Sequence, residues 1–349
     1  MKYVDDKYAT EDLRYYLTKQ FVSHDNPSVD VLQDTIVVPP GFDMPIGVND
    51  KHINNVSYRD QAENVIYFGS IDTAHFGNIL YDFVSRLWWQ VEHNNPHKWV
   101  FIKSQRIKVP PLLYQIAEWM GIKQKDLVEV VVPTRFKSVI VPQRSFIHDD
   151  YIMPAYASIF NHIYEAMQPK AMPTYDKIYL TRRLLKRHKE IGEWRFERLF
   201  EANGYKVIAP ETLRLEEQAY MLRHCKSIAS LEGSHAHGVV WTMVNDNGKQ
   251  IILRKQSEVI PRQIMFNRLW QRELTFVDVF EEPFRGFPIS HDRGPFLLKW
   301  TKAIEQFAYD NNMIVPTECR RGYWWDWIEY AAKCIMYKAW HMYKHRKDK

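Results

Sequence analysis

Thr181-Arg182-Arg183 closes the apolar run KIYL, and a basic group, Lys186-Arg187-His188-Lys189, follows within a few residues. Guanidinium groups leaving the C-terminal end of a strand stand where open α/β sheets bind ligands, and their planar forks match phosphate oxygens. A bare basic run is about as often a solvated loop. This feature alone points to an anion seat or to a charged surface.

A second feature sharpens the first. The segment Glu232-Gly233-Ser234-His235-Ala236-His237-Gly238 follows another apolar run, SIASL. A strand, a turn of small residues and a helix over HGVVWTMV would leave backbone N–H groups aimed above the sheet. Ser234 doubles as the expected helix N-cap. Neither G-x-G-x-x-G nor G-x-x-x-x-G-K-[ST] occurs, so the dinucleotide and P-loop readings are unsupported. Glu232, His235 and His237 lack the spacing of a zinc helix, and no metal is expected. In the first half, Asp72, His75 and Asn78 occupy a strand-to-helix junction. A histidine there can act as a base near neutral pH, or simply cap and pack.

These residues need elements to hold them, and the chain alternates accordingly. VLQDTIVVPPGF reads as a strand stopped by Pro39-Pro40. AENVIYFGS reads as a buried strand and HFGNILYDFVSRLWWQVEHN as a helix with Ile79, Phe83, Leu87 and Val91 on one face. HKWVFIKS, LVEVVVPT and KSVIVPQ are further strands, with the helix PPLLYQIAEWMGI among them. A helix in residues 150–172, then Pro169 and Pro173, marks a boundary. Beyond it come KIYLTRR, a helix closed by Gly204, YKVIAP, the helix LEEQAYMLRHC, SIASLEGS and QIILRK. Strand–helix alternation of this kind predicts parallel sheets with helices on both faces, in two Rossmann-like halves.

Composition sets the outer bounds. A chain of 349 residues, 46% hydrophobic and 26% charged, suits two globular domains rather than a disordered protein. Cys225, Cys319 and Cys334 form neither a disulfide framework nor a metal spacing, which fits a reducing compartment. The first residues, MKYVDDKYATEDLRYYL, lack the apolar core of a signal peptide, and no apolar run is long enough to span a bilayer. A cytoplasmic protein is expected. A net charge of +5 is small for a nucleic-acid protein, and the body of the chain shows no basic–aromatic stacking platform.

The C-terminal segment GYWWDWIEYAAKCIMYKAWHMYKHRKDK reads as an amphipathic helix. Trp324, Ile328, Ala331, Ile335, Ala339 and Met342 share a face that Asp326, Glu329, Lys333, His341 and Lys344 oppose. Such a helix docks on the protein body, or lies on a membrane with its aromatic flanks and basic end at the interface.

The span from Asp176 to Trp241 resembles the bacterial, capsular-polysaccharide branch of glycosyltransferase family 61. The resemblance rests on Thr181-Arg182, Arg187, Glu193, Pro210-Glu211, Glu217-Gln218 and Glu232-Gly233-Ser234, with His237 beyond. In the first half it rests on His75, Phe76, Gly77 and Arg86-Leu87-Trp88. Gly192 stands where the family usually has Asn, Asn78 where a second His is common, and Asp82 where Glu is common.

The resemblance implies a GT-B architecture of two Rossmann-like domains facing a cleft. Residues 1–168 would form the acceptor side, 174–285 the nucleotide-sugar donor side, and 286–349 a helical C-terminal segment. It implies an inverting, metal-independent hexosyl- or pentosyltransferase acting on a surface polysaccharide or lipid-linked glycan. No cofactor is needed beyond a nucleoside-diphosphate sugar as donor. Arg182, Arg187 and the amides at Gly233-Ser234 would stabilise the departing diphosphate. Glu193, Glu211, Glu217, Gln218, Glu232, His235 and His237 would complete the donor site. His75, or Asp72 in its place, would be the acceptor's base. Residues 322–349 would meet the inner membrane face. Other enzymes of similar architecture that process sugar or polyol phosphates, and a non-enzymatic anion or nucleic-acid binder, stay open at this point.

Overall fold

Val-, Ile- and aromatic-rich runs punctuated by Pro, Gly and Asn become strands, and the longer amphipathic runs between them become helices. The computed structural model describes residues 4–9, 12–41, 46–49, 57–71, 79, 83–94, 96–185, 189–280, 294–322 and 324–347. Asp72, His75, Phe76, Gly77, Asn78, Asp82 and Arg187 lie outside the described residues. The chain divides into one unit of residues 20–168 and another of residues 1–19 with 169–349.

Two elements precede the first unit: β1 (Val4–Tyr8) and α1 (Asp12–Thr18). The sequence reading placed residues 1–19 with the first half, yet β1 pairs in parallel with a strand near residue 275, in the other unit.

The unit of residues 20–168 holds β2 (Val29–Val38), β3 (Gly47–Asn49), β4 (Arg59–Ile71), β5 (Lys98–Lys103), β6 (Leu127–Glu129) and β7 (Thr134–Pro142). They form one sheet in the order β3-β2-β7-β4-β5-β6. β7, β4, β5 and β6 are parallel to one another, but β2 runs antiparallel to both β3 and β7. The expected parallel sheet is therefore mixed. Val37, Val65, Tyr67, Val100, Ile102 and Val139 form a core cluster in this sheet.

The helices of this unit are α2 (Trp88–His93), α3 (Pro111–Trp119) and α4 (Pro154–Met167), and a short antiparallel pair, β8 (Phe146–Ile147) with β9 (Tyr151–Ile152), precedes α4. The helix expected over residues 75–94 is broken where it is described. Val84–Arg86 is a 3-10 turn and α2 starts only at Trp88. Ile79, Phe83 and Leu87 are buried all the same. Arg86 and Trp88 explain the break, because both reach the end of β7: the Arg86 guanidinium donates to Pro142 O, and Trp88 Nε1 donates to Gln143 O at 2.8 Å. Burial holds Arg86 down at about 10.

The second unit continues with β10 (Lys177–Leu180), β11 (Glu190–Ile191), β12 (Lys206–Ile208), β13 (Ser227–Leu231), β14 (Lys249–Arg254), β15 (Glu273–Asp278) and β16 (Phe296–Leu297). Its helices are α5 (Trp194–Ala202), α6 (Leu215–Arg223), α7 (Pro261–Trp270), α8 (Lys302–Asp310) and α9 (Trp324–Lys347). Every neighbour pair in the six-stranded sheet β1-β15-β14-β13-β10-β12 is parallel.

The period-two alternation of β14 sorts the layers. Ile251 and Leu253 join Phe196, Leu199 and Phe200 of α5 and Ile304 and Phe307 of α8 in one cluster. Gln250, of opposite parity, reaches α7: Gln263 Nε2 donates to Gln250 Oε1 at 2.9 Å. Helices thus cover both faces, and the described fold is mixed α/β, compatible with a Rossmann-like glycosyltransferase. Cys225, Cys319 and Cys334 are free and buried.

α9 docks through Trp327, Tyr330 and Cys334 on Ile191 and Leu297. This is not the face expected from the sequence. Trp324, Ile328, Ile335 and Met342, with Trp325 and Met336, are exposed. No helix among the described residues is long and apolar enough to cross a membrane.

Candidate functional site

In the all-parallel sheet the registers Leu180↔Ser230, Leu231↔Leu253 and Leu253↔Val277 align the strand ends. Thr181 and Arg182, then Glu232, then Arg254 and Lys255, then Asp278 therefore emerge along one carboxyl edge, the edge where such sheets bind ligands.

Arg182 is fixed at both ends. Its backbone N–H donates to Glu193 Oε1 and Oε2 at 3.0 and 3.2 Å, and its Nε donates to Glu190 Oε1 at 2.9 Å. Tyr179 Oη also donates to Glu193, at 3.3 Å. Glu193 is buried and serves the loop after β10 rather than open space. Arg183 turns away and pairs with Glu197 at 2.5 Å, and Glu197 also accepts from the Thr181 hydroxyl.

Gly233 makes room for the guanidinium. Its φ is +139°, and a Cβ there would sit 2.9 Å from Arg182 Nη1. The following residues Ser234–Trp241 form a 3-10 helix, not the expected α-helix. Gly233 precedes it and Ser234 is its first residue, without a side-chain cap bond, so the N-cap reading of Ser234 does not hold. The reason lies in the side chains beneath. His237 is buried, its Nδ1 3.1 Å from Gln263 Oε1, and Gln250 Nε2 donates to Ala236 O at 2.7 Å. That network draws the segment down onto the sheet.

His235 lies above it with Nε2 4.0 Å from Glu211 Oε2, while its buried Nδ1 has no hydrogen-bond partner among the described residues. Burial, aided by the charge of Arg182, holds the His235 imidazole down at about 4. Glu232 is buried, and its Oε2 has no hydrogen-bond partner among the described residues. Burial pushes its carboxyl up to about 7 against the pull of Arg254 and Lys255.

The Glu217-Gln218 pair has local work. Glu217 accepts the Arg214 N–H at 2.9 Å and caps α6, and Gln218 Nε2 donates to Pro210 O and Leu213 O at 2.8 and 3.0 Å. Gln218 thereby ties down the turn Pro210–Thr212 that carries Glu211. The Arg214 amide, then its side chain, hold the Glu217 carboxyl below its usual range.

Two residues absent from the sequence reading complete the cluster. Glu190 accepts from Arg182 and from Lys255 Nζ, the latter at 2.8 Å, and Lys255 Nζ also lies 4.2 Å from the Phe296 ring centroid. Burial alone would raise the Glu190 carboxyl, but Lys255 and Arg182 hold it at about 2. Lys255 directly follows β14, so the strand-end rule that singles out Arg182 applies to it equally. Glu190 carries no such signal, because its place depends on the β11–β16 pairing. Among the described residues no group of three or more His, Cys, Asp or Glu is placed to hold a metal ion.

A cationic, water-poor edge of this kind can hold an anionic leaving group. The family model for Glycosyltransferase 61 matches residues 76–252, about half of the chain, with parts of both units inside the match. The chain belongs to the glycosyltransferase 61 family, and its class is that of glycosyltransferases. A comparison with curated proteins returns no match.

Proposed function

We propose that this glycosyltransferase takes a sugar from a nucleoside-diphosphate donor and transfers it, with inversion, to a surface polysaccharide or lipid-linked glycan of the capsular type. The observation that carries the reading is Arg182, held between Glu190 and Gly233 at the carboxyl edge of an all-parallel sheet. In this reading the two units are the halves of a GT-B enzyme, with residues 174–285 on the donor side and the unit of residues 20–168 on the acceptor side.

The acceptor hydroxyl oxygen bonds to the anomeric carbon as the bond from that carbon to the diphosphate breaks. The electron pair stays on the phosphate oxygen, and the hydroxyl proton passes to a base, His75 or Asp72. The charge gained by the diphosphate is met by Arg182, Arg187 and the amides of Gly233 and Ser234, so the reaction needs neither metal nor cofactor. Glu211, with His235 beside it, is the polar pair suited to ribose or sugar hydroxyls.

The enzyme would work at the cytoplasmic face of a membrane. The outward face of α9 supports this, since Trp324, Trp325, Ile328, Ile335 and Met336 are exposed on the side opposite the docked residues, and the sequence ends in KHRKDK.

A thermal-shift screen against UDP, GDP, CMP and their sugars tests the donor class, since a ligand of the folded state raises the melting temperature by mass action. Arg182→Ala should lower turnover of the donor so found by roughly 100-fold or more while the protein stays folded. Normal turnover by that variant would overturn the phosphate-seat assignment.

A further inference from the structure

Glu190 spends one carboxylate oxygen on two cations. Arg182 Nε and Lys255 Nζ both donate to Oε1, at 2.9 and 2.8 Å, while Oε2 takes the Lys189 N–H at 3.1 Å. The side chains are largely enclosed, with 15% of Arg182, 9% of Lys255 and 2% of Glu190 exposed. Arg254, the neighbouring cation, is committed elsewhere, to Asp278 Oδ1 at 3.0 Å and Ser257 O at 2.5 Å.

Two enclosed cations on one carboxylate leave positive charge in excess, and a buried charge demands a counter-charge. Because Glu190 takes only Nε of Arg182, the terminal guanidinium nitrogens lie against Gly233, and Lys255 has further ammonium hydrogens beyond the one given to Glu190. Glu232, whose Oε2 is unpartnered among the described residues, is the next carboxyl along this edge.

We infer that Lys255 is a second phosphate-binding cation of the donor site, and that Glu190 is the positioning residue that aims Lys255 and Arg182 at one diphosphate. The inference rests on the nucleoside-diphosphate reading proposed above. Lys255 lies beyond the end of the family match at residue 252, so that match does not assign it. β14 delivers it to the carboxyl edge, and the β11–β16 pair brings Glu190 and Phe296 against it. As the bond to the sugar breaks, the added negative charge falls on a phosphate oxygen. A compact ammonium beside the Arg182 fork then opposes it from a second direction.

The test uses the full-length protein and titrations with UDP and GDP, with UMP and GMP as controls. Lys255→Met should weaken the bound diphosphate by roughly 10- to 100-fold and the matching monophosphate far less, with Lys255→Arg recovering part of the loss. Because Lys255→Met leaves Glu190 with one cation fewer, the Glu190→Gln/Lys255→Met variant removes both charges and separates binding from folding. Diphosphate affinity at the wild-type level in that folded double variant would overturn the role of Lys255. A wild-type protein that binds no nucleoside diphosphate in the screen would instead overturn the donor reading itself, and the role of Lys255 with it.

Discussion

Arg195, in the first turn of α5, forms an ion pair with Asp326, in the first turn of α9. Arg195 is 3% exposed, and its guanidinium also donates to Arg321 O at 3.3 and 3.4 Å. The C-terminal helix is therefore latched to the element that begins directly after Glu193, the residue that holds the Arg182 amide. Asp326→Ala removes the carboxylate from a buried guanidinium, which is expected to cost about 3–5 kcal/mol. Urea unfolding measures that loss, and limited proteolysis should cut α9 first. Unchanged stability would show that the helix is held by Trp327, Tyr330 and Cys334 alone.

Gly192 has a φ of +90°. A Cβ there would collide with Arg195 Nη1 and lie 2.8 Å from Leu298 O. Gly192→Asn should thus destabilise the protein by roughly 1–3 kcal/mol, through strain and through displacement of Arg195. Differential scanning calorimetry of the variant decides it. A variant as stable as the wild type would mean that Arg195 can move without loss.

Glu232 links stability to pH. Its carboxyl rises from an ordinary 4.5 to about 7 in the fold, so the folded state binds its proton more tightly than the unfolded state. The stability this confers is full below pH 4.5 and is lost as pH climbs through about 7. Burial sets the shift, Arg254 and Lys255 oppose it, and Asp278 and Glu258 add to it. Glu232→Gln should remove this dependence and be the more stable protein at pH 8, by up to roughly 3 kcal/mol. Parallel denaturation curves for the two proteins at pH 5 and pH 8 would reveal whether the gap opens with pH.

The outward face of α9 is separable from its docked face. Ile335→Glu and Met336→Glu alter side chains 61% and 70% exposed, so stability should stay within about 0.5 kcal/mol of wild type. Flotation with vesicles containing anionic lipid should nevertheless fall sharply for the double variant. Equal flotation would detach this face from membrane binding.

Much of the second unit was legible. KIYL, SIASL and QIILR are short apolar runs bounded by turn residues, and each is a strand of the parallel sheet. Arg182 and Gly233 could be singled out because strand ends in such sheets face ligands. Strand direction was less accessible. The run from Val29 to Val38 has the same character as its neighbours, and nothing in it records that it runs antiparallel to β7. The polar residues around Arg182 were visible as types but not as partners. Glu193 and Glu217 turn out to hold backbone amides, and Glu190 meets Lys255 only because β11 and β16, distant in sequence, lie side by side. In α9 the apolar periodicity points to the face of Trp324, Ile328 and Ile335, but a different, narrower stripe of Trp327, Tyr330 and Cys334 does the docking.

The parallel pairing of β1 with β15, in which Val4 meets Leu274, bears on how the protein is made. β1 has no partner in the sheet until the chain has been made through β15 (Glu273–Asp278). Residues 20–168 lie between and gather in their own unit meanwhile. Closing this edge of the parallel sheet is thus a late, long-range event. Nascent chains stalled before residue 273 should carry β1, whose sequence VDDKY is mostly charged, without its strand partner.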